Sequence, residues 1–161
     1  MNSEANKALV HRWFQEVWNE GRESTIDEMH AEDGVSFGLG GAETEVRGPE
    51  QFKVFFRNLR SALPDTHLKI VETIADGSKI AVRFEVEATH TGSGLPFPPT
   101  GRRVKFSGMS IVELADGKLV RAWNSWDQLG MLIQLGVVPA TETADRMLEP
   151  TTEEKADESA A

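Results

Sequence analysis

The chain of 161 residues contains no cysteine and no tyrosine. Without thiols there is no disulfide, no thiolate metal site, no iron–sulfur cluster and no cysteine nucleophile. Without phenols, any hydrogen bond to an enolate, a carbonyl or an epoxide must come from histidine, an indole N–H, Asn124, serine, backbone N–H or water. Basic residues are scarce, with 17 Lys and Arg against 26 Asp and Glu and a formal charge of -9. No basic stripe interrupts that acidity, which argues against nucleic acid as a partner. No apolar run approaches the length of a membrane span, and the opening MNSEANKALVHRWF lacks a basic start followed by an apolar stretch. A cytoplasmic protein with no membrane partner is expected. No histidine and carboxylate positions share a ligand spacing, so no metal is expected either.

What is present is an ordinary balance, 39% hydrophobic and 27% charged, on a length that suits one domain. Leu9, Val10, Trp13, Phe14, Val17 and Trp18 form one helical stripe that Ser3 can cap and Gly21 ends. Ser24 and Asp27 read as a capping box for a short second helix through Ile26 and Met29. A glycine-rich loop around Gly38, Gly40 and Gly41 follows, and Pro49 opens a third helix with Phe52, Phe55, Phe56, Leu59 and Leu63 on its apolar face. After Pro64-Asp65 the period changes to two. Strands are expected over Leu68 to Ala75, Ile80 to His90, Val104 to Leu114 and Leu119 to Asp127, with Asp-Gly turns at 76–77 and 116–117. Helices followed by antiparallel hairpins predict an α+β domain over residues 1–140. The acidic remainder, 141–161, lacks apolar patterning and reads as a disordered tail.

The richest stretch for chemistry runs from Thr89 to Gly136. Asp127 lies two and four positions after Ser125 and Trp123, so an extended strand projects all three from one face. Facing an apolar cavity, Asp127 could hold and move a proton; as an N-cap, it would simply start the helix containing Leu129 and Leu132. The two roles are compatible. His90 ends a strand on its apolar face, where it could serve an oxyanion or relay a proton, or be a hydrogen-bonded core histidine. The segment from Leu95 to Gly101, with Phe97 among its prolines, is a rigid turn that could also rim a pocket. His67 is a weaker candidate, His11 and His30 read as surface residues on helices, and Trp13, Phe37, Phe55, Trp123 and Asn124 are candidate ligand contacts. Val120, Ala122 and Trp126 fall on the strand face opposite Trp123 and are expected to pair two copies of the chain.

Taken in order, Arg47-Gly48-Pro49-Glu50, Leu63-Pro64-Asp65, Thr89-His90-Thr91-Gly92, Pro98-Pro99-Thr100-Gly101, Asp116-Gly117-Lys118, Trp123, Asp127 and Gln134-Leu135-Gly136 closely resemble the SnoaL-like polyketide cyclases. The resemblance implies a cone-shaped α+β barrel of the ketosteroid-isomerase and nuclear-transport-factor type, in which helices close a curved sheet around a deep pocket. It also implies pairing through the sheets. In such cyclases an aspartate corresponding to Asp127 acts as general acid/base in an aldol ring closure without metal or cofactor, and His90 and Trp123 match motif positions. Where many relatives carry a histidine after the second helix, this chain reads Val35-Ser36-Phe37-Gly38. The expected function is a cofactor-free aldol-type cyclase or retro-aldol lyase acting on an apolar or aromatic carbonyl compound. The alternatives are a non-catalytic small-molecule-binding barrel and a hydrolase that activates water on an epoxide or ester.

Overall fold

A computed structural model describes residues 2–40 and 43–139; the acidic segment 141–161 lies outside them. The first helix, α1 (Ser3–Trp13), runs directly into a π-helix over Phe14–Asn19. Asn2, not Ser3, is its cap, accepting from the Ala5 N–H at 2.9 Å, because the helix begins one residue earlier than the serine would allow. The widened π turn leaves backbone groups to be tied down elsewhere. Arg60 donates to the Trp18 carbonyl at 2.6 Å, and the Asn19 amide pairs with both the N–H and the carbonyl of Leu68. The second helix, α2 (Glu23–Met29), also starts ahead of its expected cap at Ser24 and has no side-chain cap bond.

A sheet and a third helix complete the layers. The strands are β1 (His30–Phe37), β2 (Glu45–Arg47), β3 (His67–Asp76), β4 (Lys79–Thr89), β5 (Arg103–Ala115) and β6 (Lys118–Trp126), in the spatial order β2-β1-β6-β5-β4-β3. The expected hairpins β3–β4 and β5–β6 are antiparallel, whereas β1 joins β6 in parallel. The sheet is therefore an open, curved α+β sheet whose first two strands precede the hairpins. The helix α3 (Gly48–Ala62) begins at a glycine with φ of +67° followed by Pro49, and buries Phe52 and Phe56. These rings join Val10, Trp13, Phe14 and Val17 from the first helical segment and the inward residues of β3 to β6 in one core.

Strand β6 carries the detail that sets the site. Glu113 pairs with Arg121 but Leu114 pairs with Leu119, so Val120 is an extra residue with no partner on β5. Such a bulge reverses the alternation downstream of it. Leu119 and Ala122 both point inward, and after them so do Asn124 and Trp126. Trp123, Ser125 and Asp127 consequently face out, the reverse of the facing expected from unbroken alternation.

The loop between β4 and β5 is laid against α3. Gly92 donates to the Ala62 carbonyl at 3.2 Å, and a Cβ added there would stand 1.8 Å from the Ser61 carbonyl oxygen. Gly92→Ala is expected to force the loop off the helix and cost about 1–3 kcal/mol, the usual range for overpacking. A shift in denaturation midpoint too small for that range would mean that the loop is not seated on α3.

Candidate active site

The helical layer and the sheet leave a slot between them. One wall presents Trp13, Phe14, Trp18, Phe52 and Phe55; the other presents Phe84, Phe106 and Trp126. The hollow between them has a cavity volume of about 80 Å³. Aromatic walls that face one another across it suit a flat apolar molecule.

Besides the indole N–H groups of Trp13, Trp18 and Trp126, polarity is confined to Ser36, Thr66, Ser110 and Asn124, and among the described residues none that lines the slot is ionisable. Asn124 has a defined orientation. Its Nδ2 donates to the Phe37 carbonyl at 2.9 Å, and its Oδ1 accepts from the Ser110 hydroxyl at 2.7 Å. A carbonyl can only accept, so the amide cannot be flipped without setting two oxygens against each other. The second hydrogen on Nδ2 has no partner among the described residues, and Asn124 lines the slot. Gly38, with φ of +75°, makes this contact possible, since a Cβ there would lie 2.1 Å from the Asn124 carbonyl oxygen. Trp126 Nε1 donates to the Leu39 carbonyl at 2.9 Å and so holds the residues after β1 against β6.

The candidate residues divide between slot and surroundings. Trp13, Phe55 and Asn124 line the slot. Asp127 is exposed, and its Oδ1 accepts from the Gly130 N–H at 2.8 Å as the N-cap of α4 (Gln128–Gln134). Asp127 lines a second hollow of about 460 Å³ together with Arg83, Phe84, Glu85, Ser107 and Trp126. The expectation of an inward carboxylate is thus corrected by the bulge at Val120. Trp123 shares that outer face, stacked on Phe37 at 6.1 Å with Lys79 Nζ 5.9 Å from its ring centroid. His67 is exposed at the start of β3.

His90 is fully buried but belongs to the β4–β5 loop. Its Nδ1 accepts from the Thr100 N–H at 3.2 Å, its backbone pairs with Gly101 and Arg102, and its ring stands edge-on to Phe97 at 5.5 Å. His90 and Phe97 therefore meet each other, outside the set that lines the slot. Of its two readings, the hydrogen-bonded core histidine describes where His90 sits.

Several functional positions escaped the sequence reading. Ser110 is the polar break in the inward run Val104, Phe106, Gly108, Ser110, Val112, Leu114, and that break was a usable signal. Ser36 and Trp126 gave none, because their facing depends on an irregular β1 register and on the bulge. His30 is the sharpest correction. It is the first residue of β1 and 1% exposed, not a surface residue of a helix, because α2 ends at Met29. Burial pushes its pKa below the ordinary value of 6.5.

An open curved sheet with helices across one face and an apolar slot between the layers defines an α+β fold with a pocket between its layers. The model of the SnoaL-like polyketide cyclases matches residues 8–135, and the chain belongs to that family. Aklanonic acid methyl ester cyclase DnrD of Streptomyces peucetius is 29% identical over 130 residues, covering 80% of this chain and 88% of the relative. The cyclase DauD of Streptomyces sp. strain C5, named for the same ester, is 28% identical and covers 80% of each chain. Among solved structures, a SnoaL-like protein from Jannaschia sp. CCS1 superposes with a TM-score of 0.77 at 22% identity, over 85% of this chain and 95% of the other. IdmH of Streptomyces antibioticus gives 0.70 at 25% identity, over 81% and 98%.

The cap role of Asp127 is separable from any chemical one. Asp127→Asn retains an acceptor for the Gly130 N–H and should leave unfolding unchanged, whereas Asp127→Ala should cost about 0.5–2 kcal/mol. Chemical denaturation of both variants checks this, and equal losses in the two would mean that charge rather than the cap bond matters.

Proposed function

We propose that this protein is a polyketide cyclase that closes a ring by carbon–carbon bond formation on a flat, apolar carbonyl compound held in the slot. The observation that carries the reading is the neutral Asn124–Ser110 pair at the polar patch between two aromatic walls. The cyclase relatives support ring closure as the reaction. Aldol closure conserves electrons, so confinement and acid–base groups suffice for it and no cofactor is invoked. Aligning the reacting carbons between rigid rings supplies proximity, and the free Asn124 N–H stabilises the carbonyl oxygen as it gains charge. The apolar walls exclude water from the enolate. Asp127 was the expected acid/base group, but to act it must leave its cap and turn in past Trp126. We assign the substrate contact to Asn124 instead, and place the protein in the cytoplasm.

A second reading, a barrel that binds without chemistry, is favoured because none of the described residues that line the slot is ionisable. One experiment separates the possibilities. Aklanonic acid methyl ester, the ester for which the two curated cyclases are named, is incubated with the protein and analysed by chromatography with mass detection. Ring closure gives an isomeric product of unchanged mass. Asn124→Leu should lower kcat/KM by about 10²-fold, as loss of an oxyanion donor does, while Asp127→Asn stays near wild type. Loss of turnover in a stable Asp127→Asn returns the acid/base role to Asp127. Binding with no product supports the binding barrel.

We also propose a homodimer formed through the outer sheet face. Ile74, Ala81, Ile111, Trp123 and Phe37 are successive cross-strand partners over β3, β4, β5, β6 and β1. Ile74 is 63% exposed, Ile111 45% and Trp123 38%. An apolar row of this length suits a two-fold partner presenting the same row. This replaces the expected pairing face, since Ala122 is buried and Trp126 lines the slot. Sedimentation at micromolar concentration should show a dimer that Ile111→Asp converts to monomer. A monomeric wild-type protein would reject the pairing.

A further inference from the structure

Gly108 stands in the middle of the 13-residue strand β5, on the inward run between Phe106 and Ser110. Glycine weakens a strand interior, where it has no side chain to pack. Gly108 is not among the glycines with a positive φ, so the backbone conformation does not call for it. Its neighbours do. A Cβ at this position would stand 2.6 Å from Cζ and 2.8 Å from Cε2 of Phe84, and 2.8 Å from Cβ of Trp126. Carbon atoms in contact settle at about 3.5–4.0 Å, so a side chain here would have to displace one of them.

Phe84, Gly108 and Trp126 are successive cross-strand partners over β4, β5 and β6. The Phe84 ring thus lies across β5 in the space that a side chain at 108 would fill. Both aromatic partners line the slot on its sheet wall. They differ in freedom to move. Trp126 would meet the new atom with its Cβ, which is fixed to the backbone of β6, and its indole is tied to the Leu39 carbonyl. Phe84 would meet it with the far edge of a ring that can turn. Phe14, on the helical wall, stands 5.6 Å from Phe84 between ring centroids. A Phe84 ring lifted off β5 moves toward that wall, and the slot loses height.

Resting on the reading of the slot as the seat of a flat apolar carbonyl compound, we propose that Gly108 is a positioning residue that fixes the height of the slot through Phe84 and thereby selects fused-ring substrates. With no side chain at 108, the Phe84 ring lies back against the strand and the slot admits several fused flat rings. With a methyl group there, the raised ring obstructs an extended ligand before it obstructs a single ring. One methylene of mismatch in an apolar pocket is worth about 10- to 200-fold in discrimination, so a small change in wall position is enough.

The test uses two neutral ketones, 9-fluorenone with three fused flat rings and acetophenone with one, and reads binding to the purified protein by equilibrium dialysis. Wild type should bind both. Gly108→Ala should bind fluorenone about tenfold or more weakly and acetophenone unchanged, a shift in ratio that a uniform loss of stability does not produce. Leucine lacks the two ring atoms that the new Cβ would meet. Adding Phe84→Leu to Gly108→Ala should therefore restore fluorenone affinity to that of Phe84→Leu alone, a coupling read from the double-mutant cycle. Unchanged fluorenone affinity in Gly108→Ala, equal weakening of both ketones, or a loss that Phe84→Leu leaves in place overturns the role of Gly108. So does a Gly108→Ala chain that circular dichroism shows unfolded both with and without Phe84→Leu. Wild type that binds acetophenone and not fluorenone rejects the fused-ring class and this inference alone. Wild type that binds neither ketone overturns the reading of the slot and this inference with it.

Discussion

One unpaired residue, Val120, decides which half of β6 meets the ligand space. A strand has two faces, and its alternation cannot change except where an extra residue is inserted. Leu119 and Ala122 both enter the core only because the backbone bulges between them. Downstream of that step Asn124 and Trp126 become slot residues, while Trp123 and Asp127 become outer-face residues. The polar chemistry of the cavity, the cap of α4 and the apolar row on the outer sheet all follow from it.

Within the slot, the decisive property is the pairing of each polar group. Asn124 sits between a hydroxyl that donates and a carbonyl that accepts, so its amide orientation is fixed and one N–H is left without a partner among the described residues. In a cavity walled by indole and phenyl rings, such a donor acts in a low-dielectric surrounding and needs no reorganisation when a carbonyl oxygen gains charge.

The fold was largely legible in the chain. The stripe from Leu9 to Trp18, the Pro49 helix start and the Asp-Gly hairpin turns were readable because periodicity and backbone preference are local properties. The residues that resembled SnoaL-like cyclases carried the family correctly. Legibility failed at irregular points. Nothing in Leu119-Val120-Arg121-Ala122 announces a bulge, since the partner strand creates it. His30 looked helical because α2 is short and its end is set by β1 pairing. His90 and Phe97 looked like pocket residues because they adjoin a Pro-rich turn, yet Gly92 and Gly94 press that turn onto α3, where a Cβ would meet the carbonyl oxygens of Ser61 and Asn58.

By itself the sequence determined the absence of thiol and phenol chemistry, the α+β class, the helical stripe, the hairpins and the family, because each depends on composition or on residues near one another in the chain. Only the tertiary structure decided that Asn124 rather than Asp127 faces the slot, that His30 is buried, and that the outer row runs from Ile74 to Phe37. Those outcomes depend on strand register, and register is set by partners tens of residues away.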